Sequence, residues 1–203
     1  CEMVRKKFPK IKLIENTENL GFSKANNQGV KSAKGEYVCI LNPDTAVSKD
    51  TFLKTLKFAE SLEKPGAIGV RLIDGTGNFL PESKRNIPKP KVVFFKILVL
   101  KSKKNSYYAN HIRDKESGEV AVLVGAFLLM KRKIYNEMAG FDEDYFMYGE
   151  DIDLSYKLMK AGYKNYYFGK TTVLHYKGGK HYQRQSLFEA FLWRHAPLLQ
   201  KTF

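Results

Sequence analysis

Cysteine is scarce in this chain: Cys1 and Cys39 are the two present among 203 residues. Two cysteines build neither a disulfide framework nor a paired-cysteine zinc site. The G-x-G-x-x-G spacing of dinucleotide-binding folds is missing, and so is the lysine-bearing phosphate loop of nucleotide hydrolases. No apolar run approaches the roughly 20 residues that a membrane-spanning helix needs. No secretory leader pattern is visible. Negative charge is the other shortage. Aspartate and glutamate total 21 against 35 lysines and arginines, a formal net charge of +14. A surplus of that size points to an anionic partner: nucleic acid, a phosphorylated small molecule or an acidic membrane surface.

What is present is globular in character, with 43% hydrophobic and 13% aromatic residues. Such a chain can bury a real core, and its length suits one domain over residues 1–203. From about residue 82 to 118, prolines 88 and 90 and many lysines suggest an irregular insertion. Inside it lies Val92–Leu100, greasy, flanked by lysines and too short to span a bilayer. It suits either an interfacial anchor or a buried helix. Cys39 falls in an apolar run, which fits a reducing compartment. The chain starts at Cys1, within what reads as the tail of a helix, so a fragment or a processed product is expected.

The rest is organised around Tyr37-Val38-Cys39-Ile40-Leu41-Asn42-Pro43-Asp44-Thr45. Tyr37 to Leu41 is a continuous apolar run, the pattern of a strand buried on both faces of a parallel sheet. Pro43 cannot donate to a sheet ladder, so the strand stops at Asn42. Asp44 then sits just past the strand's carboxyl end, where open α/β sheets place ligands. A carboxylate there can hold a hard cation and, through it, a phosphate. The plainer alternative is an Asn-Pro-Asp turn in which Asp44 caps nearby amides.

Before this strand, Ile11–Ile14 is a short strand candidate. A weak helix over Phe22–Ala33 follows, with Ser23 as its cap and Gly35 as a stop. Asn19-Leu20-Gly21-Phe22 can aim amides at a phosphate from the helix start, or form an ordinary turn. After the strand, Ser48 and Asp50 open a helix whose apolar stripe is Phe52, Leu53, Leu56, Ala59 and Leu62. Ala67–Ile73 is a further strand. Val120–Met130 is apolar and broken at Gly125, and a basic helix over Arg132–Ala139 precedes Gly140.

The densest chemistry is Phe141-Asp142-Glu143-Asp144-Tyr145-Phe146-Met147-Tyr148-Gly149-Glu150-Asp151-Ile152-Asp153. A helix from about Glu150 to Ala161, closed by Gly162, puts Glu150, Asp151 and Asp153 in its first turn. Acids there complement the helix dipole, each by about 0.3–1 kcal/mol. Three carboxylates beside Tyr145, Phe146 and Tyr148 exceed what capping needs, and a general base is the alternative. Strands follow over Tyr163–Phe168 and Thr171–Tyr176. His175 near the second strand's end is a metal ligand or a structural histidine.

Taken in order, Asn19-Leu20-Gly21-Phe22 with Ala25-Asn26 and Gly29, Leu41-Asn42-Pro43-Asp44, Gly125-Ala126-Phe127, Gly140–Glu143, Phe146–Leu154, His175 and Gly178-Gly179 closely resemble the family 2 glycosyltransferases. The closest look is of the rhamnosyltransferase-like branch. The resemblance covers about residues 11–182, and its most specific part is Gly140–Leu154. It implies an α/β fold of the GT-A type, a Rossmann-like, mostly parallel sheet flanked by helices. It also implies a nucleotide-diphospho-sugar donor, a saccharide or lipid-linked acceptor, a divalent cation (Mg2+ or Mn2+) and inversion at the anomeric carbon. By position, Asp44 matches the family's metal-binding acid and His175 a histidine that completes the metal shell in some members. Asp151 matches the base, with Glu150 beside it. Asn19, Gly21, Phe22, Asn26, Asn42 and Asp44 fall on the donor side, and Tyr148 and Asp153 on the acceptor side. Asn42 stands where many members carry an acid. Members begin with a strand, a helix and a second strand ahead of Ile11, so the chain is expected to be truncated at its N-terminus. The cytoplasm is the expected location, peripheral to the inner face of the cell membrane. The competing reading is a non-catalytic basic domain that binds nucleic acid or an anionic membrane surface. The basic residues, however, form no recognisable nucleic-acid reading motif, so nucleic acid is not the expected partner.

Overall fold

Apolar runs punctuated by glycine and proline set the strands, and the amphipathic stretches between them set the helices. A computed structural model describes residues 1–87 and 107–176. The Val92–Leu100 stretch and Gly178-Gly179 lie outside them. The helices are α1 (Glu2–Lys7), α2 (Gly21–Ser32), α3 (Thr51–Glu60), α4 (Arg132–Glu137) and α5 (Glu150–Lys160). The strands are β1 (Tyr37–Leu41), β2 (Thr45–Ala46), β3 (Pro65–Ile73), β4 (Lys84–Arg85), β5 (Ser117–Val120), β6 (Val122–Leu123), β7 (Phe127–Lys131) and β8 (Lys164–His175). Among the described residues no helix is long and apolar enough to cross a membrane.

The main sheet runs β1-β7-β3-β8-β2, with β5 also paired to β8. The α/β architecture is as expected, but strand direction differs from a mostly parallel sheet. β3 and β8 are parallel, whereas β7 is antiparallel to both β1 and β3. The reason lies in the path of the chain. Phe127, where β7 begins, stands opposite Leu41, where β1 ends. A strand entered at the carboxyl end of its neighbour must run back against it.

Helices cover both faces. On one, Val30 of α2, Ile134 and Tyr135 of α4, and Leu154 and Leu158 of α5 pack against Val38, Ile40, Leu128, Met130 and Tyr167. On the other, Ala59 of α3 packs with Ile68, Val70, Leu72, Phe127, Leu129, Phe168 and Val173. Burying each large aliphatic side chain contributes about 1.5–3 kcal/mol. The strands buried on both faces are therefore β3 and β7, the latter from Phe127 through Met130. β1, expected to be such a strand, has Val38 and Ile40 buried, Tyr37 and Cys39 half-buried and Leu41 exposed, and among the described residues it pairs with β7 alone.

Other local expectations shift as well. Ile11–Ile14 forms no strand. Helix α2 starts at Gly21, ahead of Ser23, with the Asn19 side-chain carbonyl accepting from the Gly21 amide at 3.1 Å. In α3 the inward residues are Thr51, Thr55 and Ala59, while Phe52 and Leu53 are exposed. Thr55 keeps its buried hydroxyl satisfied by donating to the Thr51 carbonyl at 2.7 Å. The two strands expected after Tyr163 are one, β8, whose register against β3 shifts between Val70 and Arg71. Part of the expected insertion is ordered: β4 pairs with β6, and residues 107–109 run along its other side.

Candidate active site

Two half-sites form where the sheet's strands end. The first grows from the turn after β1. Thr45 donates through both its amide and its hydroxyl to the Asn42 carbonyl, at 3.2 and 2.7 Å, which closes Asn42-Pro43-Asp44-Thr45 into a tight bend. Thr45 opens β2, whose register sets it against His175. That pairing brings Asp44 Oδ1 to 3.2 Å from His175 Nε2. The Tyr176 amide also donates to the Asp44 carbonyl at 2.9 Å. Residues 131 positions apart in sequence are thus brought side by side by one short strand pair.

His175 Nδ1 and Asn42 Oδ1 are buried without hydrogen-bond partners. Buried polar atoms are normally satisfied, so such orphans call for an explanation. Among the described residues no three histidine, cysteine, aspartate or glutamate side chains gather as a ready-made metal cage. A carboxylate, an imidazole and an amide oxygen nevertheless fit a hard divalent cation whose other positions come from water and phosphate oxygens.

The second half-site is the start of α5. Gly149 takes a left-handed conformation at φ 98° and so turns the chain into the helix. Tyr148 before it has φ 69°, an uncommon geometry for a side-chain-bearing residue. Glu150, Asp151 and Asp153 are all buried, far beyond what solvated dipole-complementing acids require. Asp153 pairs with Lys157 at 2.7 Å. Asp151 Oδ2 accepts from Arg85 Nη2 at 2.6 Å and from the Gly125 amide at 3.2 Å. The same Arg85 nitrogen donates to the Leu123 carbonyl at 3.0 Å, and Nη1 donates to the Tyr107 hydroxyl at 3.1 Å. Burial disfavours the guanidinium's charge, but Asp151 and Tyr107 beside it outweigh that and raise its pKa above the ordinary arginine value. Burial, and then the charge of Asp151, push Glu150 up to about 8.

One peptide segment touches both halves. The Asn42 amide donates to the Ala126 carbonyl at 3.0 Å, and the amide of the preceding Gly125 holds Asp151. A Cβ at Gly125 would sit 3.4 Å from the Phe22 ring and 3.7 Å from the Asp151 Cβ, so the turn between β6 and β7 passes close to both.

The Asn19–Phe22 segment is tied to this region through backbone. The Phe22 amide donates to the Phe146 carbonyl at 2.7 Å, and the Gly21 amide is taken by Asn19. Asn26 donates to the Phe22 carbonyl at 2.8 Å. The loop Phe146-Met147-Tyr148 beyond is exposed.

Arg85, Tyr107 and Asn27 were not singled out from the sequence. Asn27 ties α2 to the Phe141 region, donating to the Phe141 carbonyl at 2.9 Å and accepting from the Tyr135 hydroxyl at 2.6 Å. A signal existed for it, because asparagine inside a helix disfavours that helix and suggests another role. Arg85 had none. It sits in a two-residue strand with no periodicity to flag it.

The chain's similarities to known proteins concern its family and fold. A model of glycosyl transferase family 2 matches residues 1–139. The rhamnosyltransferase WbbL of Escherichia coli strain K12 is 30% identical over 195 residues, covering 90% of this chain and 69% of that protein. An N-acetylglucosaminyl-diphospho-decaprenol L-rhamnosyltransferase of Mycobacterium tuberculosis is 28% identical over 185 residues. That match covers 84% of this chain, which spans 60% of the mycobacterial protein's length. Among solved structures, GalNAc-T7 with UDP, GalNAc and Mn2+ superposes at a TM-score of 0.64 and 15% identity, over 96% of this chain and 39% of that one. The mannosyltransferase PcManGT of Pyrobaculum calidifontis, with GDP-Man and Mn2+, gives 0.57 at 18% identity, over 98% of this chain and 54% of that one. At such identities the superpositions establish the shared fold, which is that of the GT-A glycosyltransferases.

Proposed function

The chain belongs to glycosyl transferase family 2, and from that premise we propose that it serves an inverting transfer of sugar from a nucleotide-diphospho-sugar to a saccharide or lipid-linked acceptor. Asp151 is the base and Asp44 and His175 are the metal-side residues. The observation that carries this reading is the Gly125-Ala126 segment, which ties the Asp44 turn to Asp151: the Ala126 carbonyl accepts from the Asn42 amide and the Gly125 amide donates to the Asp151 carboxylate. A displacement needs these two functions on opposite sides of one reacting carbon.

Asp151 takes the proton of the acceptor hydroxyl as that oxygen forms its bond to the anomeric carbon. The carbon's bond to the donor phosphate breaks, and the nucleoside diphosphate leaves. Asp44 and His175, with Asn42 beside them, would hold Mg2+ or Mn2+. When bound, the cation offsets the charge that builds on the leaving diphosphate. Asn19, Gly21, Phe22 and Asn26 belong to the donor side in this reading, and the exposed Tyr148 to the acceptor side, with Asp153 bracing the helix beneath it. By analogy with the two rhamnosyltransferases, the sugar class is a deoxyhexose such as L-rhamnose, and the acceptor class is an amino-sugar diphospho-lipid of surface polysaccharide synthesis. Such an acceptor is met at the inner membrane face, so a peripheral location follows.

The test is transfer by the full-length protein from a nucleoside-diphosphate L-rhamnose to an N-acetylglucosaminyl-diphospho-lipid, in Mn2+, in Mg2+ and in excess chelator. Product with metal and none with chelator supports the reading. Full activity in chelator removes the metal side. Salt-dependent binding of DNA without any sugar transfer would favour the basic-domain alternative.

A further inference from the structure

Arg85 lies outside every motif that pointed to the reaction, yet its side chain ends on the carboxylate assigned as the base. The contact is unequal. Both hydrogen bonds that Asp151 accepts from Arg85 and Gly125 fall on Oδ2. The partners of Arg85 come from three separate segments: Asp151 on α5, the Leu123 carbonyl on β6 and the Tyr107 hydroxyl. Its backbone is held as well, since β4 lies between β6 and residues 107–109. Next to it, Lys84 is anchored on the Ala109 carbonyl at 2.8 Å and lies over the Phe79 and Tyr167 rings. The guanidinium thus has little freedom of its own, which is what fixing another side chain requires.

We propose that Arg85 is the positioning residue of the base: it pins Oδ2 of Asp151 and so aims Oδ1 at the acceptor hydroxyl. The inference rests on the assignment of Asp151 as base. Arg85 touches neither substrate in this arrangement and acts through Asp151. A planar fork is suited to the task, because Nη2 donates to both the carboxylate and the Leu123 carbonyl while Nη1 donates to the Tyr107 hydroxyl. A lysine ammonium carries the charge without that geometry. Glu150 lies beside the same guanidinium: burial and the charge of Asp151 raise its pKa, and the Arg85 charge works against that rise.

The test compares Arg85→Ala, Arg85→Lys and Asp151→Asn in the full-length enzyme, with transfer measured as nucleoside diphosphate released. In Arg85→Ala, kcat is expected to fall about 100-fold, the scale of a misplaced catalytic group. KM for the donor should change little, because Asp44 lies in the turn after β1 and His175 at the end of β8, away from β4. Guanidinium ion added at millimolar concentration should restore part of the rate in Arg85→Ala and none in Asp151→Asn. If Arg85→Ala does not fold, Arg85→Lys decides. A kcat at least tenfold lower with an unchanged donor KM supports the role, and a wild-type kcat overturns it. Wild-type kcat in Arg85→Ala, or loss without any guanidinium rescue, also overturns it. An active Asp151→Asn would instead remove the base assignment itself.

Discussion

The two half-sites differ in how their central carboxylates are held. Around Asp151, Oδ2 accepts from the Arg85 guanidinium and from the Gly125 amide, although Arg85 Nε and Glu150 Oε2 nearby are buried without partners. Around Asp44, the histidine Nδ1 and the asparagine Oδ1 are buried and unmatched. The contrast suits the two roles proposed for them. A base must be held in one geometry before the acceptor arrives, because orientation fixed in advance lowers the barrier. A site for a cation and a diphosphate needs open acceptor atoms, since a satisfied site would have to be taken apart before it could bind.

The largest effect that would break this contrast is at the base. Asp151→Asn keeps the shape of the side chain and removes its ability to take a proton. Transfer should fall by about 10²–10⁴-fold, measured as released nucleoside diphosphate, while nucleotide affinity stays near wild type. Next comes the donor side. Asp44→Ala should weaken UDP or GDP binding in Mn2+ by about 10–100-fold, a range known for groups around a metal. His175→Ala should act in the same direction and less. Both are read by calorimetric titration, and neither should matter when chelator replaces the metal.

A smaller effect is expected where α2 meets the Phe146 loop. Gly21 has φ 79°, and a Cβ there would crowd the Phe146 carbonyl oxygen, with the Phe146 ring next to it. Gly21→Ala therefore combines about 1–2 kcal/mol of left-handed strain with a backbone clash. At about 2–4 °C per kcal/mol, the melting temperature should drop by several degrees. An unchanged melting temperature would mean the helix start adapts freely.

The last effect is in Glu150. Its folded pKa of about 8 lies above the value of 4.5 for a free glutamate, so the native state binds this proton more tightly than the unfolded one. The resulting stability is fully present below about pH 4.5 and is lost as pH rises through about 8. Glu150→Gln should flatten that decline and melt higher than wild type at pH 8–9. A wild-type decline in the variant would assign the pH dependence to another group.

The sequence made parts of this contrast legible and hid others for physical reasons. The Asn42–Thr45 bend was readable, because proline and aspartate after an apolar run leave few backbone options. The first turn of α5 was readable from its glycine and acids. Meeting of Asp44 with His175 was foreseeable only as two strand ends, and it took the β2–β8 register to set the distance. The Arg85–Asp151 pair was not foreseeable, since a two-residue strand carries no pattern and the partners are 66 positions apart. The expectation that β1 is buried on both faces failed for a related reason. An apolar run reports how hydrophobic a strand is and not how many neighbours it has, and here β7, β3 and β8 lie between other strands while, among the described residues, β1 pairs with β7.

The division of labour between the halves is tested most directly by measuring binding and transfer on the same two variants. UDP and GDP are titrated with Mn2+ into full-length Asp44→Ala and Asp151→Asn, and sugar transfer is assayed in parallel. The expected result is weak binding in Asp44→Ala, near-normal binding in Asp151→Asn, and transfer lost in both. Normal nucleotide binding by Asp44→Ala, together with transfer retained by Asp151→Asn, would contradict it.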